Sequence, residues 1–272
     1  MKDNLDKITF SFGKNWQKFL VSLNDDRIKT AEDSIKEFLK CDNLKSFSFL
    51  DIGCGSGLFS YAAYNLGINK LVSVDVDPFS VSCCRYMREK AHNPQNWDIK
   101  EGSVLDKDFI NDLGMFDIVY SWGVLHHTGK MWEAIENAAS CVKKDGFFYI
   151  SIYNNTDGLL DSNFWLSVKK LYNRSGALGK FILERLYMLL DITVNILKFK
   201  NPFKVIKNYR LSRGMDWETD IRDWLGGYPY EFATVEEVFG FMANKFPEFL
   251  LVNIKTTNSL GTNTFLFKRG TE

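Results

Sequence analysis

Cysteine motifs and an excess of one charge are both missing from this sequence. Its five cysteines include no CxxC pair and no cluster with histidine, which argues against a zinc site and against a disulfide framework. Lysine and arginine together number 34, the same as aspartate and glutamate, which argues against a surface that binds nucleic acid generally. We therefore expect no bound metal and no nucleic-acid partner. A chain of 272 residues can nevertheless bury a sizeable core.

The chain also lacks an uninterrupted apolar run long enough to cross a membrane. Its most apolar stretch, 181–197, is interrupted by Glu184, Arg185 and Asp191. We expect this stretch to be a helix buried in the protein, and the alternative is contact with a membrane surface or a lipid tail. The first seven residues contain no long apolar core, so we expect no secretory signal and a cytoplasmic location.

A glycine-rich turn joins an apolar strand to a helix. Residues 44–52 alternate between apolar and polar and then become mostly apolar, as in a strand covered on both faces, and residues 58–66 have helical spacing. Gly53, Gly55 and Gly57 lie between them, at the carboxyl end of the strand, where doubly wound sheets bind ligands. The turn alone is also compatible with an ordinary strand-to-helix connection.

An acidic residue ends the next strand. Asp75 follows the apolar segment 70–74, about 20 residues beyond the glycine turn, and is placed to accept hydrogen bonds from both hydroxyls of an adenosine ribose. The alternative role of Asp75 is to cap the helix that begins near Pro78, although Asp77 could cap that helix instead. We predict that Asp75 binds the ribose.

The glycine spacing and the residue before it separate two cofactor classes. In a dinucleotide-dependent dehydrogenase the third glycine comes three residues after the second, and the helix N-terminus binds a pyrophosphate. Here Gly57 follows Gly55 with one residue between them, and the Asp51 carboxylate would repel a pyrophosphate but suit a cationic or zwitterionic ligand. The pattern Asp51-x-Gly53-x-Gly55-x-Gly57 resembles the first motif of the S-adenosylmethionine-dependent methyltransferases with a Rossmann-like fold.

The resemblance continues in order along the chain. Residues 101–106 resemble the segment after the third strand, where this family often has an aspartate against the adenine amino group and this sequence has Ser103. Residues 116–127 resemble the fourth strand with its loop, and residues 142–152 resemble the fifth strand. The residues that the resemblance implies for S-adenosylmethionine are Asp51, Gly53, Gly55, Gly57, Asp75, Val76, Ser103, Val104 and Ser121.

An aromatic segment precedes the first strand. Phe12, Trp16 and Phe19 recur at near-helical spacing, which is compatible with a helix packed on the core. In relatives a Phe-Gly-x-x-Trp segment closes over the cofactor. The resemblance therefore implies that Trp16 belongs to the cofactor site and that this segment shields the sulfonium from water.

Alternating strands and helices predict an α/β fold, a doubly wound Rossmann-like sheet. Thr234 and Glu237 have the spacing of a capping box and predict the start of a helix there. Strands are expected near 47–52, 70–75, 96–101, 115–121 and 146–153, and the resemblance implies two more, near 249–255 and 263–268. The expected divisions are an N-terminal helical cap (1–46), a cofactor-binding core (47–153), a mostly helical insertion (154–233) and the last helix and two strands of the core (234–272).

The insertion lies at the carboxyl edge of the sheet, where a methyl acceptor must approach, so we expect a lid. Residues 192–215 include six basic residues and no acidic one, which indicates either a solvated basic face or attraction of an anionic acceptor or membrane surface. Residues 213–231 line the acceptor pocket or form a packed hairpin between lid and core. The residues that we predict to bind the acceptor are Tyr153, Asp216, Trp217, Asp220 and Tyr228.

Two adjacent histidines follow the fourth strand. His126 and His127 are the best candidates for a general base, because imidazole titrates near neutrality, but one of them could only brace the loop. We expect a methyltransferase that acts without a metal on a small molecule, at a hydroxyl of a sugar, nucleotide-sugar, surface-glycan precursor or phenol. A resemblance to ubiquinone-type O-methyltransferases favours oxygen. The alternatives are N- or C-methylation, a dinucleotide-dependent oxidoreductase and a non-catalytic cofactor-binding module.

Overall fold

Seven strands form one sheet in the part of the chain that the computed structural model describes, residues 12–21, 23–213 and 217–270. The strands are β1 Ser48–Ile52, β2 Lys70–Asp75, β3 Trp97–Glu101, β4 Phe116–Trp122, β5 Val142–Tyr153, β6 Phe249–Lys255 and β7 Thr262–Arg269. Strands β1 to β5 run parallel, β7 is antiparallel to β5 and β6, and the order is β3-β2-β1-β4-β5-β7-β6. The predicted doubly wound, Rossmann-like α/β sheet is confirmed.

Helices alternate with the strands and build the insertion. Over the described residues they are α1 Gly13–Val21, α2 Asp25–Leu39, α3 Leu58–Asn65, α4 Pro78–Lys90, α5 Lys107–Leu113, α6 Met131–Ser140, α7 Ser162–Arg174, α8 Ala177–Leu197, α9 Pro202–Arg213, α10 Trp217–Gly226 and α11 Val235–Lys245. A short 3₁₀ helix, Leu125–His127, follows β4. The predicted capping box is confirmed, since the Thr234 hydroxyl accepts from the Glu237 N–H and the Glu237 carboxylate from the Thr234 N–H.

Two apolar layers hold the sheet between the helices. Every residue of β1 is buried, as expected for a parallel strand covered on both faces. Phe49 packs in the layer beneath α2, α3 and α4, whereas Leu50 and Ile52 pack in the layer beneath α5, α6 and α11. Complete burial of each such side chain contributes about 1.5–3 kcal/mol, so the strand that carries the glycine turn is firmly anchored.

The strand order reverses between β1 and β4, which places two loops side by side. Gly53, with a φ of +76°, begins the loop after β1, and a Cβ at this position would collide with Val124 in the loop after β4. Only glycine combines this backbone conformation with so close an approach. The glycine turn and the histidine segment therefore meet at the switch point of the sheet, where open α/β folds bind ligands.

The insertion forms a helical lid with its own apolar cluster. This lid cluster contains buried side chains of α7, α8 and α10 together with Tyr230. Within α8, however, only Glu184 and Met188 are buried. Our expectation that this stretch is a buried helix is therefore wrong, because α8 packs along one narrow side and leaves the rest exposed. No helix of the described residues is long and apolar enough to span a bilayer.

Candidate functional site

The glycine turn and the end of β2 are joined by one carboxylate. The Gly55 N–H donates to Asp75 Oδ2 and the Asp77 N–H donates to Asp75 Oδ1, each at 2.9 Å. Burial raises the pKa of the Asp75 carboxyl, and these N–H donors oppose that effect. Asp77 caps α4 by accepting from the Phe79 N–H, so the cap does not require Asp75.

Asp51 lies inside the protein, next to the turn. Its side chain is 2% exposed, and Oδ2 accepts from the Ser60 hydroxyl at 2.5 Å. Ser60 contacts the Ser73 hydroxyl at 2.7 Å, and Trp97 Nε1 donates to Ser73 at 2.9 Å. Burial raises the pKa of Asp51 to about 7, and the negative charge of Asp75 adds to the rise. This network connects β1, α3 and β2 directly behind the glycines.

Helix α1 covers the turn. The Gly13 N–H donates to Asp77 Oδ2 at 3.0 Å, which attaches the start of α1 to the α4 cap. Trp16 lies against the turn, because a Cβ on Gly55 would be 3.0 Å from Trp16 Nε1. Phe12 packs against His127 with ring centroids 5.0 Å apart. The predicted aromatic segment therefore reaches both the glycine turn and the histidine loop.

The remaining predicted cofactor residues lie along the carboxyl edge with different exposure. Val76 is 67% exposed beside Asp75, whereas Val104 is buried. The Ser103 hydroxyl accepts from the Leu105 N–H at 3.1 Å. Ser121 is completely buried, and its hydroxyl donates to the Ile52 carbonyl at 3.0 Å. Ser121 thus has a structural partner between β4 and β1, and its cofactor contact stays a prediction.

Hydrogen bonds distinguish the two histidines. The Tyr153 N–H donates to His126 Nδ1 at 3.2 Å, so this nitrogen carries the lone pair. His127 Nδ1 lies 2.6 Å from the Pro229 carbonyl oxygen, which only accepts, so Nδ1 carries the proton and Nε2 carries the lone pair. His126 is fully buried with its basic nitrogen engaged, whereas His127 is half-buried with a basic nitrogen available.

Burial keeps both rings neutral. The pKa of His127 is lowered to about 4, chiefly by desolvation, while the Pro229 carbonyl opposes this and the positive charge of Lys169 adds to it. The pKa of His126 is lowered well below its usual value, chiefly by desolvation and then by the charge of His127. Both imidazoles are therefore uncharged at neutral pH.

Tyr153 connects the histidines to the lid. Its ring lies 4.0 Å from His126, 5.0 Å from Tyr230 and 6.1 Å from Trp224, centroid to centroid. The buried polar atoms without a hydrogen-bond partner in the described structure include His126 Nε2, Trp224 Nε1 and the Tyr230 hydroxyl. The region next to the histidines therefore contains more hydrogen-bond donors than acceptors.

Lys169 is a buried cation that our sequence analysis missed. Its ammonium lies 4.0 Å from the centre of the Trp224 ring and 4.8 Å from that of Tyr230, and it donates to the Trp224 carbonyl. The side chain is fully buried, and burial lowers its pKa to about 7, while Asp223 opposes this shift. Nothing in the local sequence of α7 distinguishes Lys169 from a surface lysine, so no sequence signal could have identified it.

Glu231 was missed as well. Both of its carboxylate oxygens accept from the Met131 N–H, at 3.0 and 3.2 Å, which satisfies the start of α6. The Glu231 N–H donates to the His126 carbonyl at 2.9 Å. Segment 228–233 is thereby attached to the histidine loop.

The acceptor residues predicted in the insertion are not all brought together. Trp217 Nε1 donates to Asp191 at 2.9 Å, and Asp220 accepts from the Tyr209 hydroxyl at 2.5 Å, so both make contacts within the lid. Tyr228 lies in the segment beside the histidines. Asp216 lies outside the described residues. Asp223 accepts from Asn15, which links α10 to α1.

Metal-ligand clusters are absent from the described ranges, where no three or more His, Cys, Asp or Glu side chains are grouped to hold an ion. Two surface depressions of about 370 and 310 Å³ lie along α2 and between α1 and α4. Neither depression is lined by the histidines or by the glycine turn.

Comparison with known proteins agrees with this geometry. Residues 50–148 match a family model described as a methyltransferase domain. The chain is 27% identical over 143 residues to the ubiquinone biosynthesis O-methyltransferase of Pelagibacter ubique, covering 51% of this chain and 57% of that protein. It is 27% identical over 140 residues to the ribosomal protein L11 methyltransferase of Staphylococcus haemolyticus, covering 52% of this chain and 39% of that protein.

A solved structure shares the fold. The magnesium protoporphyrin IX methyltransferase of Synechocystis, crystallised with S-adenosylhomocysteine, superposes with a TM-score of 0.51 and 15% identity, covering 91% of this chain and 89% of the other. The two sequence relatives are matched over only about half of their length or less. The region that matches the family model, residues 50–148, carries the glycine turn, Asp75 and the histidine loop.

Proposed function

We propose that this chain, whose residues 50–148 form a class I, Rossmann-like methyltransferase domain, transfers a methyl group from S-adenosylmethionine to a small-molecule acceptor. The observation that carries the proposal is the meeting of the glycine turn, the Asp75 carboxylate and the histidine loop at the switch point. An Asp51 carboxylate immediately behind the turn disfavours a dinucleotide pyrophosphate.

The residues present fit an adenosyl cofactor. Asp75 stands at the end of β2 with each oxygen held by one backbone N–H group, and each oxygen keeps a second lone pair that can accept from a ribose hydroxyl. The exposed Val76 side chain beside it offers an apolar face to the adenine, with Ser103 and Val104 on the next loop. Gly55 lets Trp16 lie directly against the turn, since a Cβ at this position would be 3.0 Å from Trp16 Nε1. Gly53, Gly57, Asp51 and Ser121 support this cradle.

The chain's own groups then align the reaction. When bound, S-adenosylmethionine supplies an electrophilic methyl group on a sulfonium. Trp16 and Phe12 exclude water from the space between the glycine turn and the histidines, which favours in-line attack by the acceptor oxygen. His127 Nε2 accepts the hydroxyl proton, while its Nδ1–H stays bonded to the Pro229 carbonyl. A weakly basic imidazole suffices because an oxygen becomes strongly acidic as its bond to the methyl group forms.

The lid favours an oxygen-rich acceptor. The acceptor side carries the Lys169 ammonium and the unpaired donors of His126, Trp224 and Tyr230. An anionic or polyhydroxylated molecule has the oxygen atoms that can accept hydrogen bonds from them. In this proposal Tyr153 and Tyr228 complete the acceptor side beside the histidines. Trp217 and Asp220 act through their contacts within the lid, and the role of Asp216 stays a prediction. A hydroxyl of a sugar, nucleotide-sugar, glycan precursor or phenol fits these requirements, and the matched O-methyltransferase supports oxygen as the methylated atom.

The test combines cofactor binding with turnover. Calorimetry should find that S-adenosylhomocysteine binds and that NAD does not. Radiolabelled methyl groups should then pass from S-adenosylmethionine to hydroxylated members of a panel of phenols, sugars and nucleotide-sugars, with and without EDTA. NAD binding without S-adenosylhomocysteine binding would identify an oxidoreductase. Cofactor binding without methyl transfer to any compound of the panel or to a cell extract would identify a non-catalytic module.

A further inference from the structure

Helix α8 has its apolar face outward. Counted at 100° per residue, one side of the helix carries a stripe of six aliphatic side chains, each between 48% and 74% exposed, and Thr193 is the polar residue within it. The stripe consists of Leu178, Ile182, Leu186, Leu189, Ile196 and Leu197. A surface helix of a globular protein normally has the opposite arrangement, with charged residues on the solvent side. Isolated exposed leucines are ordinary, but six exposed aliphatic side chains on one face of a helix mark an interaction site.

The polar side of α8 is turned into the lid. Glu184 is 8% exposed and accepts from the Tyr172 hydroxyl at 2.8 Å and from Arg222 Nε at 3.1 Å. Asp191 accepts from Trp217 Nε1 at 2.9 Å. These are the two acidic residues of α8, and both are used inside the lid. The helix therefore cannot rotate to bury its apolar stripe without leaving these polar groups unpaired.

Aromatic and basic side chains extend the stripe beyond the end of α8. Phe199 is completely exposed and Phe203 is 80% exposed at the start of α9. Four lysines on the same segment are also exposed, namely Lys198, Lys200, Lys204 and Lys207. The sequence contains no acidic residue from 192 to 215 that could neutralise them.

We propose that α8 and the start of α9 lie in the surface of an anionic phospholipid membrane. The aliphatic stripe with Phe199 and Phe203 would enter the boundary between headgroups and acyl chains, as interfacial helices do, while the four lysines contact the lipid phosphates. The segment lies on the bilayer rather than across it, in agreement with the absence of a membrane-spanning helix among the described residues.

A second copy of the chain fits this face less well. In a twofold pairing of α8 the same patch meets itself. The outward side carries Arg185 and the lysines that follow, whereas Glu184 and Asp191 face inward, so like charges would approach each other with no carboxylate between them. A bilayer of anionic lipid supplies both the apolar phase and the negative charge.

This proposal does not depend on methyl transfer, so it can be tested without an acceptor. The full chain is sedimented with vesicles of phosphatidylcholine alone and of phosphatidylcholine mixed equally with phosphatidylglycerol. We expect binding to the anionic vesicles that is at least about tenfold stronger than to the neutral ones and that weakens with added salt. Light scattering on the protein without vesicles reports whether it is monomeric.

Matched variants separate the two parts of the surface. Leu186→Ser with Leu189→Ser should lower binding by about tenfold or more, whereas the control Leu250→Ser, on an equally exposed leucine of β6, should not. Lys204→Glu with Lys207→Glu should lower binding by at least about tenfold, and the control Lys90→Glu with Lys100→Glu should change it less. Circular dichroism and S-adenosylhomocysteine binding check that each variant folds.

Three results would overturn the proposal. One is a folded wild-type chain that does not bind anionic vesicles. Another is an equal loss of vesicle binding in the α8 and α9 variants and in their controls. The third is a dimer that the leucine variants convert to monomer while wild-type vesicle binding is absent, which would assign the stripe to a second copy of the chain.

Discussion

At the residue scale, the two neighbouring histidines carry their ring protons on different nitrogens. The Pro229 carbonyl holds the proton on His127 Nδ1, and the Tyr153 N–H occupies His126 Nδ1. His127 therefore presents a basic nitrogen, whereas His126 braces β5 against the loop. We therefore propose separate roles for these adjacent histidines, because their ring nitrogens contact different backbone groups.

We expect His127→Ala to lower the rate of methyl transfer by about 10²- to 10⁴-fold, the usual contribution of a general base. Because the pKa of His127 is about 4, its imidazole is neutral above that value, so the wild-type rate should be flat from about pH 5 to pH 8 and fall as the pH approaches 4. The pH dependence of kcat measures this.

His126→Asn provides the control, since an amide oxygen can still accept from the Tyr153 N–H. It should retain turnover within about tenfold. A larger loss in the His126 variant than in the His127 variant would reverse the assignment. A rate that falls with an ordinary imidazole pKa near 6.5 would contradict the lowered pKa of His127.

Asp75→Asn should weaken S-adenosylhomocysteine binding about ten- to hundredfold, equivalent to about 1.5–3 kcal/mol, because a charged acceptor is lost. Gly55→Val should weaken it as well, because a side chain at a φ of +53° would be strained and would press on Trp16. Calorimetry on folded protein is the measurement. Unchanged affinity in both variants would refute the cofactor site.

Lys169 makes stability depend on pH in a defined direction. Its pKa is about 7 in the folded protein and 10.5 for an ordinary lysine, so between these values the unfolded chain binds more protons and stability rises with pH. Relative to Lys169→Met, the wild type should gain on the order of 2 kcal/mol between pH 7 and pH 9. Urea unfolding of both proteins at each pH measures this. A constant difference would mean that the ring faces of Trp224 and Tyr230 keep the ammonium charged.

At the scale of elements, α8 and α10 are joined through one arginine with two acidic partners. Arg222 contacts Glu184, which is buried, and Glu218, which is exposed. Glu184 also receives the Tyr172 hydroxyl, so a single carboxylate connects α7, α8 and α10. Such a buried centre stabilises the lid independently of the sheet.

Glu184→Ala should destabilise the lid by about 2–3 kcal/mol, because Tyr172 and Arg222 then lose a charged partner inside the structure. Hydrogen exchange should become faster in α7, α8 and α10 and stay unchanged in β1 and β4. Glu218→Ala is the matched control and should cost less than about 1 kcal/mol, since its ion pair is exposed to solvent. Equal effects of the two substitutions would contradict this account.

At the scale of the whole molecule, the core and the lid divide the work in our proposal. Residues 47–153 hold the cofactor, and residues 154–233 select and position the acceptor. Helix α1 links the two parts, because Gly13 is attached to the α4 cap and Asn15 to Asp223 of the lid. In our proposal, closure over the cofactor and closure over the acceptor are therefore connected through this one short helix.

Tyr228→Leu and Trp217→Phe should lower methyl transfer while S-adenosylhomocysteine affinity changes by less than about threefold, or about 0.7 kcal/mol. The reason is that both side chains belong to the lid and not to the cradle around Asp75. Calorimetry and turnover are compared in the same preparations, with Asp75→Asn as the opposite case. Full activity in both lid variants would make the lid purely structural.

Most of the sheet followed from local sequence patterns. The strand pattern of β1, the helical spacing of α3 and the Thr234–Glu237 capping box each depend on neighbouring residues, and each prediction is confirmed. The order of motifs also identified the methyltransferase domain. Local rules succeed here because burial on both faces of a strand and helix capping depend on residues that are close together in the sequence.

Other features exist only because distant segments meet. The tautomer of His127 depends on Pro229, about a hundred residues away, and the burial of Lys169 depends on the rings of Trp224 and Tyr230. The apolar stretch of α8 predicted a buried helix, but in the structure the polar residues of α8 face the lid. The sequence by itself determined which segments become strands, helices and cofactor loop. Only the tertiary structure decided which nitrogen is basic, which lysine is buried and which face of α8 is exposed, because proton position, solvation and orientation depend on partners that no local pattern specifies.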